Sequence, residues 1–524
     1  MSNNTFHYGE DYLTIGTALD ISSGKTKGIL CRKTLEKVKT SRNYVNNIVH
    51  KKKVVYGINT GFGPLCTTLI GEEDTKKLQH NLLKSHSVGV GNIINDDIAR
   101  LMLILKVHSL AKAYSGISHE TLERIIWHIE EDIIPCVPEQ GSVGASGDLA
   151  PLAHLFLPLI GLGEVRYQGE KFPTQKLFDI LNIEPIDLGP KEGLALINGT
   201  QFISAHTVKF IERYQNCLDH ADIIAAMNLE AMMGSVKSFD EELHTLRPYA
   251  GNSYVARRMR ALLKDSEIVE SHKNCTRVQD PYSLRCIPQV HGASRNAWLH
   301  LKEMLQIEIN SVTDNPIIFN EEKTISGGNF HGQPIALPID YAALSASELG
   351  NISDRRVYLS LMEKVEGLPK LLMSNTGLNS GFMIPQYTTA ALVSENKSLC
   401  FPASADSIPT SLGQEDHVSM GSISSRKALQ IVANLEKILA IELFTSAQGF
   451  DFRKPLKSGI LIDKCHQFIR TKIDFAENDR IFAEDINEAI KIITNKELTS
   501  IIDKEALKNQ IDIKNSKDEI FGIY

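Results

Sequence analysis

Long runs of helical periodicity, and a change of texture near residue 190, predict a mainly α chain. The periodic runs cover residues 98–134, 192–235, 339–365, 385–398 and 417–447. In the last of these, Ile431, Val432, Leu435, Ile438 and Leu439 trace one apolar stripe, expected to be core and to carry no chemistry. Ahead of residue 190 the elements are shorter and broken by glycines, and Leu188-Gly189-Pro190 is the natural boundary. The chain is therefore expected to divide into a smaller region, 1–190, and a region of long helices, 191–524.

Composition narrows the function. A hydrophobic fraction of 42% and a charged fraction of 23% belong to an ordinary soluble protein. The net charge of −7 argues against a nucleic-acid surface. Lys51-Lys52-Lys53 is the one tight basic run, and it reads as a solvated helix end rather than a phosphate site. The eight cysteines form no C-x-x-C pair, so neither a zinc site nor a disulfide framework is expected, and no other metal is implied. The first eleven residues lack a signal peptide's apolar core, and the apolar run 155–163 is too short to span a bilayer. The expectation is a reduced, cytoplasmic protein without a membrane partner.

In chain order, residues 25–53 read as a basic amphipathic helix, with Ile29, Leu30, Leu35 and Val38 at near-helical spacing. A short strand, Val54-Val55-Tyr56, is expected to enter the glycine-broken loop 57–63, either as a plain turn or as a loop that holds Tyr56 into a site. Residues 76–86 read as a helix ending in Ser85-His86, where a histidine ordinarily serves as a cap or dipole partner. Pro135 and Pro138 are expected to stop the helical run 98–134.

The stretch from Gly144 to Leu152 then allows two readings. One is a glycine turn into a helix, with Ser146 or Asp148 as N-cap. In the other, the backbone of Ala145-Ser146-Gly147 makes its own electrophile. The Gly147 amide nitrogen attacks the Ala145 carbonyl, an approach open to glycine because it has no Cβ. Loss of that oxygen as water closes a five-membered ring, and loss of the Ser146 hydroxyl as a second water leaves an exocyclic methylene. This methylidene-imidazolone, or MIO, is an electron sink that ordinary side chains do not offer. Rival motifs fail: a nucleophile elbow would need glycine where Asp148 stands, and the Gly141, Gly144, Gly147 spacing is not a dinucleotide fingerprint.

Further along, Asn198-Gly199 falls inside a helical pattern that it disfavours by roughly 1 kcal/mol for the glycine alone. Pro281 is well placed to open a helix on which Tyr282 and Arg285 share a face. Arg285 there either pairs with a surface acid or clamps a carboxylate through two parallel hydrogen bonds. The loop 326–332 is hinged by glycines, and Glu415-Asp416 is expected in the first turn of the helix 417–447. From about 457 onward two shorter helices and a charged tail are expected.

Together the strings YGINTGFG (56–63), GASGDLAPLAH (144–154), ALINGT (195–200), YSLRC (282–286), SGGNFHG (326–332) and QEDHVS (414–419) resemble the aromatic amino acid ammonia-lyase family, over roughly residues 54–495. The resemblance implies a central bundle of long helices, with a smaller mixed α/β N-terminal region carrying the MIO loop. It implies a homotetramer whose sites combine residues of several subunits. It also implies MIO formed from Ala145, Ser146 and Gly147, with no external cofactor. By the same resemblance Tyr56 is the catalytic base and Tyr282 orients the substrate. Arg285 holds the substrate carboxylate, Asn198, Gln279 and Phe330 line the electrophile, and His86 and Glu415 face the substrate ring.

The resemblance, with Glu415 in this place, leads to the expectation that the substrate is L-histidine, with trans-urocanate and ammonia as products. Phenylalanine and tyrosine members of the family usually carry a neutral glutamine there. A carboxylate suits an imidazole N–H, whereas against a phenyl ring it would be desolvated and unpaired. The alternatives are a tyrosine or phenylalanine lyase or aminomutase, and, more remotely, an inactive helical homologue. The chain departs from the family's pattern at Arg247-Pro248-Tyr249-Ala250-Gly251-Asn252, Phe401 and Gly413, none of them a residue given a role above.

Overall fold

A computed structural model describes residues 4–51, 53–61, 70–273, 277–522 and 524. The chain is mainly helical, with a few short strands confined to small sheets. At the start, β1 (Asn4–His7) pairs in parallel with β2 (Thr26–Ile29) across the connecting helix α1 (Ile15–Ser22). The expected helix over 25–53 is thus shorter: its first residues add a strand, and α2 runs Arg32–His50. Lys51 is its C-cap and pairs with Glu321, as a solvated helix end should; Lys52 lies outside the described residues.

The expected strand at Val54-Val55-Tyr56 is a turn instead. Asn59 closes it, its Oδ1 accepting the Val55 N–H and its amide donating to the Lys53 carbonyl, both at 2.9 Å. Such local side-chain bonds compete with strand pairing and here prevail. Phe62 and Gly63 of the same loop lie outside the described residues.

Next come α3 (Glu72–His86), β3 (Val90–Ile93), α4 (Asp96–Leu110) and α5 (His119–Glu130). The single helical run expected over 98–134 is therefore two helices. The chain between them takes left-handed conformations at Ala113 and Gly116, which an α-helix cannot include. Pro135 and Pro138 do not stop the second helix, which has already ended; they lie in β4 (Ile134–Pro135) and β5 (Pro138–Gln140). Strand β5 pairs antiparallel with β3, and β4 joins β6 (Glu164–Tyr167) and β7 (Glu170–Pro173) in a three-stranded sheet. Between them lies α6 (Leu149–Phe156), and α7 (Thr174–Leu181) follows the sheet.

Beyond residue 190 the elements lengthen. After α8 (Glu192–Ile197), α9 (Gln201–Ala231) continues for 31 residues, about 45 Å. Apolar residues occur on every side of α9, so it is buried almost throughout. The short helices α10 (Glu241–Thr245), α11 (Ala250–Leu262), α12 (Glu267–Ser271) and α13 (Tyr282–Arg285) lead to α14 (Ile287–Glu308). The pair β8 (Ile317–Ile318) and β9 (Thr324–Ile325) precedes α15 (Gln333–Ser360), α16 (Met383–Leu399) and α17 (Gly421–Asp451). Helices α9, α14, α15 and α17 pack against one another as the central bundle. The stripe of Ile431, Val432, Leu435, Ile438 and Leu439 is fully buried within it. Past residue 457 the chain forms four helices rather than two: α18 (Ile460–Arg470), α19 (Phe482–Thr494), α20 (Glu497–Lys508) and α21 (Lys514–Phe521).

Charged side chains cross this core in pairs. Arg356 on α15 forks onto Glu442 of α17, and Arg295 on α14 reaches Asp219 and Asp222 of α9. His291 Nδ1 lies 2.7 Å from Asp222. Each buried charge is thereby neutralised, the condition for tolerating it in a low-dielectric interior. Among the described residues no helix is long and apolar enough to cross a membrane.

Candidate active site

The loop at 141–148 is held between the starts of three helices. Gly144, Ser146 and Gly147 all take positive φ, at 86°, 50° and 83°, so the chain turns sharply through them. For Ser146, a residue with a Cβ, that conformation costs on the order of 1 kcal/mol, which surrounding bonds must offset.

Those bonds come from both sides. Gly147 and Gly199 form a parallel bridge in which Gly199 N–H donates to the Ser146 carbonyl at 3.3 Å and Asp148 N–H donates to the Gly199 carbonyl at 2.8 Å. A Cβ on Gly147 would lie 2.2 Å from the Gly199 oxygen, so only glycine permits this approach. On the opposite side Met420 N–H donates to the Val143 carbonyl at 3.0 Å, and the Ser422 hydroxyl donates to the Ser142 carbonyl at 2.7 Å.

Asp148 stands at the N-cap position of α6, one of the two caps expected, yet its side chain does not cap that helix. Its Oδ2 accepts the N–H groups of Phe202 and Ile203 at 2.9 and 3.1 Å, capping α9 instead. Burial pushes its carboxyl up to about 7 in spite of those two donors. Asn198-Gly199 proves to be the break between α8 and α9 rather than a mid-helix pair, and this removes the propensity conflict. The break places the Asn198–Gly199 peptide against the loop.

Glu415 does not sit in the first turn of a helix, because α17 begins only at Gly421. It lies on a tight turn, bridged through the backbone to Thr410. One carboxylate oxygen accepts from Ser411 Oγ at 2.7 Å and Thr410 Oγ1 at 3.3 Å. The other accepts from the Ser146 hydroxyl at 3.1 Å, joining positions 269 residues apart. His86 ends α3 with Nδ1 3.0 Å from Ser85 Oγ. Burial holds its imidazole below the usual histidine range, while the Glu415 charge pulls the other way. His154, on α6, accepts the Gly89 N–H at 3.0 Å and so ties the segment after His86 to the helix after the loop.

Tyr56 is half-buried at the turn closed by Asn59. Phe330 lies half-buried in the loop before α15, and its neighbour His331 stacks on His417, with rings 6.0 Å apart and nearly parallel. The remaining predicted residues lie on α13 or just before it. Pro281 is the N-cap of α13 rather than its first residue, Gln279 is exposed and Tyr282 is 70% exposed. The Arg285 guanidinium lies over the Tyr282 ring, 4.5 Å from its centre, and among the described residues it forms no ion pair with an acid. Among the described residues no hydrogen bond joins 279–285 to the loop 144–148.

Sequence reasoning missed Lys106. Its ammonium is buried and donates to the Asn198 carbonyl at 2.5 Å. A signal was present: a lone lysine inside the apolar run Leu101-Met102-Leu103-Ile104-Leu105-Lys106-Val107. Burial pushes Lys106 down to about 7, and Asp314 opposes that shift.

A model of the aromatic amino acid lyase family matches residues 13–471. The chain belongs to that family. Among similar members, a histidine ammonia-lyase from Natranaerobius thermophilus is 46% identical over 472 residues, covering 90% of this chain and 93% of its own. One from Myxococcus xanthus is 44% identical, covering 94% and 97%. The crystal structure of histidine ammonia-lyase from Trypanosoma cruzi superposes with a TM-score of 0.90 at 38% identity, covering 99% of this chain and 98% of that one. A tyrosine aminomutase from Streptomyces globisporus reaches the same TM-score at 33% identity, covering 96% and 99%. This aromatic amino acid lyase is therefore a carbon–nitrogen lyase, with the mainly α architecture of its family.

Proposed function

We propose that the chain eliminates ammonia from L-histidine to give trans-urocanate, with Ala145-Ser146-Gly147 as the source of MIO. One observation carries the reading: the Ser146 hydroxyl and the Glu415 carboxylate are 3.1 Å apart, so the electrophile-forming serine adjoins the acid that suits an imidazole. The 43–46% identity to curated histidine ammonia-lyases supports the same substrate.

The family depends on MIO in general, and the residues here fit it. The loop is turned through three positive-φ residues, and the Gly147 position has no room for a side chain. When present, the group supplies an electron-poor methylene beside the substrate amine. The chain's own residues do the rest. The Arg285 guanidinium grips the substrate carboxylate, with Tyr282 beside it, and Glu415 accepts the imidazole N–H next to a neutral His86. Asn198, Gln279 and Phe330 wall the site. The phenolic oxygen of Tyr56 takes the β-proton as the base.

Among the described residues no hydrogen bond ties Tyr282 or Arg285 to the loop of their own chain, which supports a homotetramer in which they complete a neighbour's site. The six described cysteines are all free, which suits a reducing, cytoplasmic setting; Cys66 and Cys275 lie outside the described residues.

Peptide mass across residues 145–147 tests the reading. The native chain should lack the mass of two waters there, and Ser146→Ala should lose both the deficit and the activity. An intact native tripeptide in an active enzyme would overturn the MIO assignment.

A further inference from the structure

We propose that Lys106 is a positioning residue for the electrophile, acting through the Asn198–Gly199 peptide on the Ser146 carbonyl. The inference rests on the reading of the Ala145-Ser146-Gly147 loop given above. A trans peptide points its C=O and N–H in opposite directions, and the bond between Asn198 and Gly199 is trans. Lys106 Nζ donates to the Asn198 oxygen at 2.5 Å on one side of this unit. On the other side the Gly199 N–H donates to the Ser146 oxygen at 3.3 Å. Ammonium, peptide and serine carbonyl thus form one hydrogen-bonded line.

Two consequences follow. The line is mechanical: a peptide held at both ends cannot rotate, so the Gly199 side of the bridge stays fixed against a loop that is strained at Ser146. It is also electrical, because a cation on a peptide oxygen polarises the unit and strengthens its N–H as a donor, and burial leaves that effect unscreened. The Ser146 carbonyl is conjugated to the serine-derived carbon once the ring is closed. A stronger donor on that oxygen therefore draws electron density away from the carbon the substrate meets.

The ammonium is built into this place. Lys106 is 1% exposed and comes from α4, which is not one of the three helices whose starts hold the loop. The nearby buried pair of Lys191 and Asp314 is 2.7 Å apart, and the charges of Asp314 and Asp148 favour the Lys106 ammonium while that of Lys191 opposes it. A lysine kept only to fill space would be replaceable by methionine.

The test compares full-length native chain, Lys106→Met and Lys106→Arg by intact mass, near-ultraviolet spectrum and steady-state kinetics with L-histidine. Lys106→Met should show a population two waters heavier, a shifted band in the chains that did close, and a kcat reduced roughly tenfold to a hundredfold at little-changed KM, the rate equivalent of one charge-assisted hydrogen bond. Lys106→Arg, which keeps donor and charge, should restore all three. Complete closure, an unshifted band and native kcat in Lys106→Met would overturn the proposal. If Lys106→Met is insoluble, Lys106→Gln replaces it under the same criteria. Insolubility of both beside a soluble Lys106→Arg would also overturn it, by placing the lysine's role in folding. A native chain with no mass deficit would instead refute the underlying reading of the loop.

Discussion

Glu415 is held by the hydroxyls of Thr410 and Ser411, which persist when ring closure removes the Ser146 hydroxyl, so its carboxylate is oriented before any substrate arrives. Replacing it with glutamine keeps the shape and removes the charge. Glu415→Gln should lower kcat/KM for L-histidine by about 1.5–3 kcal/mol, the value of a hydrogen bond to a charged group. Its melting temperature should be close to native, and unchanged kcat/KM would remove Glu415 from the substrate's ring.

Asp148 gives a residue-scale prediction in pH. Its carboxyl, ordinarily near 3.8, stands at about 7 when folded, so between those values the folded chain binds the extra proton. The stability contributed by this group is greatest below pH 4 and declines as pH rises toward 7. Asp148→Asn removes that slope, so its melting temperature relative to native should climb over the same interval; a fall would contradict the assignment. The loop at the candidate site was legible because glycine turns and a serine-bearing motif declare themselves locally. Lys106, and the helix that Asp148 caps, were not legible, because both partners lie far away in sequence.

Among the elements, long helices were easiest to read and their ends hardest. Periodicity marked α15, α16 and α17 because each presents an apolar face over many turns. The breaks at 111–118 and 198–200 escaped it, since one or two left-handed residues barely disturb an apolar pattern. Strand β2 escaped too: four residues are too few to show alternation, and its partner lies before α1.

The bundle's charged pairs carry an energetic prediction at this scale. Arg356→Ala strands a fully buried Glu442 and should cost about 3–5 kcal/mol in denaturant unfolding. Replacing both with apolar residues of similar volume should recover most of the loss. A single variant as stable as native would mean that Glu442 takes up a proton or finds another donor.

At the scale of the whole molecule, the proposed site residues fall into two groups. Ser146, Glu415, His86 and Asn198 gather around the loop, while among the described residues no hydrogen bond joins Gln279, Tyr282 or Arg285 to it. If neighbouring subunits complete one another, two inactive variants should rescue each other. Co-expressed Tyr56→Phe and Arg285→Met chains should form mixed tetramers with a fraction of native activity, measured after purification through two different tags. No recovery in verified mixed tetramers would mean that both residues act in the same chain.

The central claim joins an electrophile made from the backbone to a carboxylate that selects an imidazole. A near-ultraviolet time course with L-histidine, L-tyrosine and L-phenylalanine in separate cuvettes tests it most directly, because each product is a conjugated acrylate with its own absorption. The account predicts a rise with L-histidine and none of comparable rate with the other two. A faster rise with L-tyrosine or L-phenylalanine would contradict the role given to Glu415, and no rise with any of the three would contradict the proposed reaction.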